Sequence, residues 1–144
     1  MELIRATIED IETLLEMERT AVDLKVYAAY SDKKEVEKWV NSDVVYLIEN
    51  EGLLVGNISY EIKDADSAYI SGLIIRKEFQ RQGLAKRAMA LLLEELKKFK
   101  RLSLVVHPDN HAVKLYESFG FEKDSRVENY FGDGEPRLVM VKNI

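Results

Sequence analysis

Two stretches of this chain hold residue types at spacings that could do chemistry, and the first is the turn Gln80-Arg81-Gln82-Gly83-Leu84-Ala85. It follows a β-branched run, Tyr69 to Ile75, and enters a helix beginning near Leu84. A strand, a tight polar turn and a helix start together make an anion site. The first N–H groups of a helix have no partner within it, and successive turn amides form a concave nest around phosphate oxygens. Gly83 sits where a Cβ would hold a ligand off the backbone. A helix tuned for stability alone would carry Asp or Glu in its first turn; this one carries Arg81, Lys86 and Arg87. Each cation costs roughly a few tenths of a kcal/mol against the bare helix end. A bound polyanion is the natural counterweight, with a solvated basic corner as the plainer reading.

The second stretch runs from Asn110 to Phe121 and places Tyr116 one turn after Ala112 on a helix. A phenol there either gives a proton to a leaving group or packs in the core with its hydroxyl toward solvent. Tyr69 and His107 are two further titratable side chains near these stretches. Each also has a structural reading, Tyr69 as a cross-strand aromatic and His107 as a turn residue before Pro108.

Both stretches lie within Ala68 to Phe121, a span of over a third of the chain, and resemble the Q/R-x-x-G-x-G/A and N-x-x-A-x-x-L-Y-x-x-x-G-F signatures of the Gcn5-related N-acetyltransferases (GNAT). The resemblance implies acetyl-CoA as cosubstrate, its pyrophosphate cradled by Arg81, Gln82, Gly83, Leu84, Ala85 and Lys86. It also implies two central strands that splay apart, with backbone groups of Leu73, Ile74 and Ile75 bonding the pantetheine amides like a missing strand. Tyr116 matches the family's general acid, and a backbone N–H near Ile74 would polarise the thioester carbonyl. The family asparagine usually stands seven residues before the tyrosine, whereas Asn110 stands six before it; Asn110 therefore either bonds pantetheine or caps the helix. Where some relatives carry a basic Glu or His mid-strand, this chain has Leu104 or Val105. Neither takes a proton; Tyr69 matches a tyrosine that assists deprotonation in some N-terminal acetyltransferases, and His107 stands two residues past Val105, on the same face of an extended chain. Glu128 to Glu135, followed by Val139-Met140, is similar to the hairpin walling the peptide groove in ribosomal-protein-alanine and other N-terminal acetyltransferases. Pro136-Arg137 departs from that pattern, and an ordinary Gly-Asp-Gly hairpin turn explains the segment equally well.

Composition narrows the partners. A net charge of −5 argues against nucleic acid and fits an amine better. With no cysteine, an acyl-cysteine intermediate is impossible and transfer goes directly from donor to acceptor. No metal-ligating set is assigned. An apolar content of 47% with 33% charged residues is that of a soluble globular protein; no run approaches a membrane span, and Met1-Glu2 does not begin a signal peptide, so a cytoplasmic location is expected.

The elements that must position these groups follow from periodicity. The 144 residues are expected to form one domain, 1–144, of mixed α/β (α+β) class: about seven mostly antiparallel strands, with a parallel central pair, and about four helices. A strand at Leu3-Ile4-Arg5 leads to a capping box, Thr7 with Asp10, and a helix to about Arg19. A second helix spans Lys33 to Val40; strands at Val44 to Glu49, Leu53 to Ile62 and Ala68 to Arg76 make a meander. The helix from Leu84 is expected to reach about Phe99. A strand at Leu102 to Val106 runs parallel to the central one, a helix ends at Phe119 with Gly120 as its left-handed stop, and a hairpin of Glu122 to Phe131 with Pro136 to Lys142 closes the fold.

The reading is an acetyl-CoA-dependent N-acetyltransferase. A lysine amine costs about 4–5 kcal/mol to present neutral at pH 7 and an α-amine only about 1, which favours a peptide N-terminus. A small-molecule amine acceptor and a catalytically silent acyl-CoA-binding module are the alternatives; the oligomeric state, monomer or homodimer, stays open.

Overall fold

The computed structural model describes residues 1–22 and 24–144. Seven strands form one sheet: β1 (Glu2–Arg5), β2 (Val44–Asn50), β3 (Leu53–Ile62), β4 (Ser67–Ile75), β5 (Arg101–Val106), β6 (Glu122–Val127) and β7 (Arg137–Asn143), in the order β1-β2-β3-β4-β5-β7-β6. Every neighbouring pair is antiparallel except β4 and β5. Their connection passes through α3 (Leu84–Leu96), as a crossover between parallel strands requires. Four α-helices complete the described residues: α1 (Ile11–Arg19), α2 (Lys33–Ser42), α3 and α4 (Ala112–Ser118). No described helix is long and apolar enough to cross a membrane.

The helices cover opposite faces of the sheet. Ile11, Leu14 and Leu15 of α1 and Val36 and Trp39 of α2 pack with Val45 and Leu47 of β2. Ala88, Met89, Leu92 and Leu96 of α3 and Val113 and Tyr116 of α4 pack with Ile48, Ile58, Ile70, Leu102, Leu104 and Met140 on the other. Adjacent β2 residues Leu47 and Ile48 thus enter different cores, the period-two consequence of a strand covered on both faces.

Sequence boundaries hold except where backbone geometry intervenes. Thr7 caps a 3-10 turn, Ile8–Asp10, through the expected capping box, and α1 follows it. The helix after Leu84 stops at Leu96, short of Phe99, because the Phe99 amide bonds the Leu96 carbonyl at 3.0 Å; that tight turn still delivers Phe99 to the core. β6 stops at Val127, not near Phe131, since Asn129, Gly132 and Gly134 all adopt left-handed backbone that a strand cannot contain. Gly120 ends α4 with φ +93°.

Two irregularities shape the centre. β4 pairs with β5 only from Ser67 to Ile70; beyond that the strands separate. On the β3 side, Gly72 pairs with Ser59 and Ile70 with Tyr60, which leaves Ser71 as an extra residue in β4. A bulge bends its strand and sharpens its twist, so the splay begins where the bulge sits.

Candidate active site

The splay opens a cavity of about 110 Å³ between β4 and β5. It is lined by Ser71, Leu73 and Ile74 of β4, Leu104 to Val106 of β5, and Tyr69, His107, Asn110 and Tyr116, all singled out above or flanking residues that were. Glu18, the 26–30 segment, Trp39, Ile70, Gly72, Phe131 and Arg137 complete the lining. Backbone alternation decides what β4 offers. The Arg76 amide donates to the Val55 carbonyl at 2.8 Å, and the Ile74 carbonyl stands 2.0 Å from where a Cβ on Gly56 would lie. Residues 74 and 76 therefore turn their backbone groups toward β3, and Leu73 and Ile75 turn theirs toward the cleft. Near Ile74, the amides that face the cleft are therefore those of Leu73 and Ile75.

The turn before α3 leaves its backbone amides open. Gln80 anchors it by donating from Nε2 to the Ile75 carbonyl at 2.9 Å. Arg81 has φ +64° and Gly83, the N-cap of α3, φ +75°. No side chain caps α3, and its first turn holds no acid. A Cβ on Gly83 would meet no protein atom within 4 Å, so the space over these amides is open. Gln82, Ala85 and Lys86 follow on the same turn and first helical residues.

Tyr116 is 7% exposed, and burial, with Tyr27 and Tyr69 nearby, pushes its phenol well above the ordinary tyrosine value. It is protonated at neutral pH, the form a general acid needs. Burial likewise raises Tyr69, with Tyr130, Glu61 and Asp43 adding to it, to about 12; its phenol is not ionised at neutral pH. His107 lies 2% exposed just past β5, with both ring nitrogens engaged. Nδ1 accepts from the Asp109 amide at 3.0 Å, which puts the proton on Nε2, donating to Glu135 Oε1 at 2.8 Å. His107 joins the chain after β5 to the β6–β7 loop and presents no free nitrogen. Asn110 Oδ1 accepts from the Ala112 amide at 2.9 Å, a capping bond, while its Nδ2 donates to the Val26 carbonyl at 3.4 Å.

Sequence reasoning missed Glu18. It lies on α1 only 4% exposed, and its carboxylate accepts from Asn57 Nδ2 at 3.2 Å and from the Tyr30 amide at 3.4 Å. Burial raises it from 4.5 to about 7, against the lowering effect of those two bonds. The signal was present: Ile11, Leu14, Leu15 and Glu18 stand at i, i+3, i+4 and i+7, so an acid occupies the apolar stripe of α1. Arg137 was a departure from pattern in sequence and is buried here, donating to Asp133 Oδ2 at 3.0 Å and lying 5.2 Å from the Phe131 ring centroid.

The chain from residue 14 to 143 matches the family model of the acetyltransferase (GNAT) domain. The chain belongs to the GNAT acetyltransferase family. No curated protein matches the sequence significantly. Among solved structures it is similar to the ribosomal-protein-alanine N-acetyltransferase of Brucella melitensis, with 23% identity, a TM-score of 0.80 and all of both chains covered. It is similar to the ribosomal-protein-S18-alanine N-acetyltransferase of Escherichia coli at 22% identity and a TM-score of 0.82, over 99% of this chain and 93% of that one. A GNAT family acetyltransferase from Elizabethkingia anophelis, solved with acetyl-CoA bound, aligns over 78% of this chain and 84% of its own at 17% identity and a TM-score of 0.68. These likenesses carry the fold; membership in the GNAT family carries the acyl-transfer chemistry.

Beside the cleft lies a second, wider hollow of about 740 Å³ that shares Tyr27, Tyr30, Tyr69, Ser71 and Phe131 with it. Its charged lining is Glu35, Asp43, Glu61 and Asp133 against Lys38. Among the described residues these two hollows meet at Tyr69 and Ser71 of β4.

Proposed function

We propose that this protein transfers acetyl from acetyl-CoA directly to an amine, with a peptide N-terminal α-amine as the preferred acceptor. What supports the reading is the uncapped start of α3, tied through the Gln80 side chain and the Ile75 carbonyl to the strand that lines the cleft with Tyr116. A ligand with a diphosphate and a thioester arm would lie along that strand, phosphates at the helix start and sulfur toward Tyr116. Amides from Arg81 to Lys86 take the phosphates, with Arg81, Lys86 and Arg87 as counter-charge. Leu73 and Ile75 bond the pantetheine arm and polarise the carbonyl. As the C–S bond breaks, Tyr116 gives its proton to sulfur. A phenol is a weaker acid than a thiol, about 10 against about 8.5, so this proton moves in step with bond cleavage and is restored from the amine nitrogen.

The acidic hollow supports a cationic acceptor arriving as an ammonium. The β6–β7 loop borders that hollow through Phe131 and Asp133 and is held by the His107–Glu135 and Arg137–Asp133 links, which gives a peptide a fixed wall. The test is thiol release from acetyl-CoA with an alanine-starting peptide, with spermidine and with no acceptor. Faster release with the peptide is expected. Faster release with spermidine transfers the reading to small amines, and tight CoA binding without release on any acceptor overturns catalysis in favour of an acyl-CoA-binding module.

A further inference from the structure

We propose that Glu18 is the general base that takes the ammonium proton of the acceptor. This rests on the acetyl-transfer reading above. The carboxylate lines the same cavity as Tyr116 and belongs to a different element, α1, on the opposite face of the sheet from α4. Acid and base thus flank the cleft, as direct transfer needs. The other candidates are occupied or mismatched: His107 spends both nitrogens on Asp109 and Glu135, and Tyr69 keeps its proton at neutral pH.

The surroundings of Glu18 suit the task. Its two oxygens accept only from neutral donors, the Asn57 amide and the Tyr30 backbone, and it forms no ion pair among the described residues. A carboxylate locked to a cation would be too weak a base; one held by neutral donors keeps its basicity. The groups facing it are the Tyr30 side chain from the following loop, Asn57 from β3 and Met17 on its own helix, whose sulfur also receives Asn57 Nδ2 at 3.7 Å. The Tyr30 phenol is itself pushed up by burial and stays neutral, so no neighbouring charge competes. Asn57 Oδ1 is buried without a partner. Rotating the amide would let it accept from a protonated Glu18, so the same asparagine serves the carboxyl in both states.

The step balances as follows. Glu18 removes one proton from the ammonium, directly or through one water, and releases it to solvent. The neutral amine attacks the thioester carbon; C–N forms and C–S breaks. Tyr116 protonates the sulfur and recovers a proton from the nitrogen, so one proton leaves per turnover.

The test is Glu18→Gln assayed on the alanine-starting peptide from about pH 6 to 9, beside CoA affinity and melting temperature. At pH 7, kcat/KM is expected to fall at least about tenfold with CoA affinity unchanged, and the deficit to shrink as rising pH supplies free amine. Asn57→Ala, which removes a donor to the ionised carboxylate, is expected to move the wild-type midpoint to higher pH, so the inference stays testable if the first variant folds poorly. Unchanged turnover in Glu18→Gln overturns it. So does an equal loss at every pH, which is the mark of a loop anchor. Failure of the wild type to acetylate any amine would instead remove the acetyl-transfer reading on which this one stands.

Discussion

Two buried side chains, Tyr116 and Glu18, are proposed to carry the chemistry at the residue scale, and each yields a measurable consequence. Tyr116→Phe keeps the ring that packs on Phe121 at 6.1 Å between centroids and deletes only the hydroxyl. Its kcat is expected to fall about tenfold or more while CoA affinity holds, measured by thiol release and calorimetry. Glu18 affects stability as well. An acid whose value is raised on folding, here from 4.5 to about 7, binds more protons folded than unfolded. Its contribution to stability is full below about pH 4.5 and is lost as pH rises through about 7, a difference of about 3 kcal/mol. Glu18→Gln is therefore expected to melt higher than wild type at about pH 8 and no higher at about pH 4.5, the reverse of what loss of a paired carboxylate would do. Tyr116 was legible because it sits in a dense motif. Glu18 broke an apolar helical stripe and could have been found, but no spacing rule says what it faces across the molecule.

At the scale of elements, the bulged β4 marks where the cleft opens, and the turn before α3 is tied to the end of β4 through Gln80 and the Ile75 carbonyl. Gly56 has no room for a side chain, because its Cβ would lie 2.0 Å from the Ile74 carbonyl, on backbone that cannot rotate away. Gly56→Ala is expected to cost about 1–3 kcal/mol by overpacking. It also displaces Leu73 and Ile75, so acetyl-CoA binding weakens beyond what the melting temperature alone explains. Gly83→Ala separates the effects differently. The methyl meets no protein atom, but φ is +75° and the methyl stands over the open helix amides. A modest stability loss of about 1 kcal/mol is expected alongside at least tenfold weaker CoA binding, read by calorimetry. Local signals gave these elements well: the capping box at Thr7, the glycine stop at Gly120 and the meander all stand where periodicity put them. The bulge at Ser71 left no such mark, since an unpaired residue in a β-branched run has the same composition as a paired one.

Over the whole molecule, charge is unevenly placed: the net charge is −5, yet cations gather at the start of α3 while acids line the wider hollow. Under the proposed function, cofactor and acceptor would meet opposite fields. For an acceptor with a second positive charge beside its amine, KM is expected to rise several-fold between about 0.05 and 0.5 M salt, because partly exposed carboxylates act over a Debye length that shrinks across that range. An acceptor KM indifferent to salt would show that the hollow does not receive a cation.

The sequence by itself determined the family, the order of the elements, and the places of the turn before α3 and of Tyr116 on α4. Those depend on residue types close together in the chain: a glycine with positive φ, an uncapped helix start, an apolar period of two or three and a half. Only the tertiary structure decided which amides of β4 face the cleft, that His107 has no free nitrogen, and that a glutamate of α1 reaches the cavity holding Tyr116. Those facts depend on register and on the packing of elements nearly a hundred residues apart. Local physics cannot specify them, because a one-residue change of register turns every backbone group and side chain of a strand the other way.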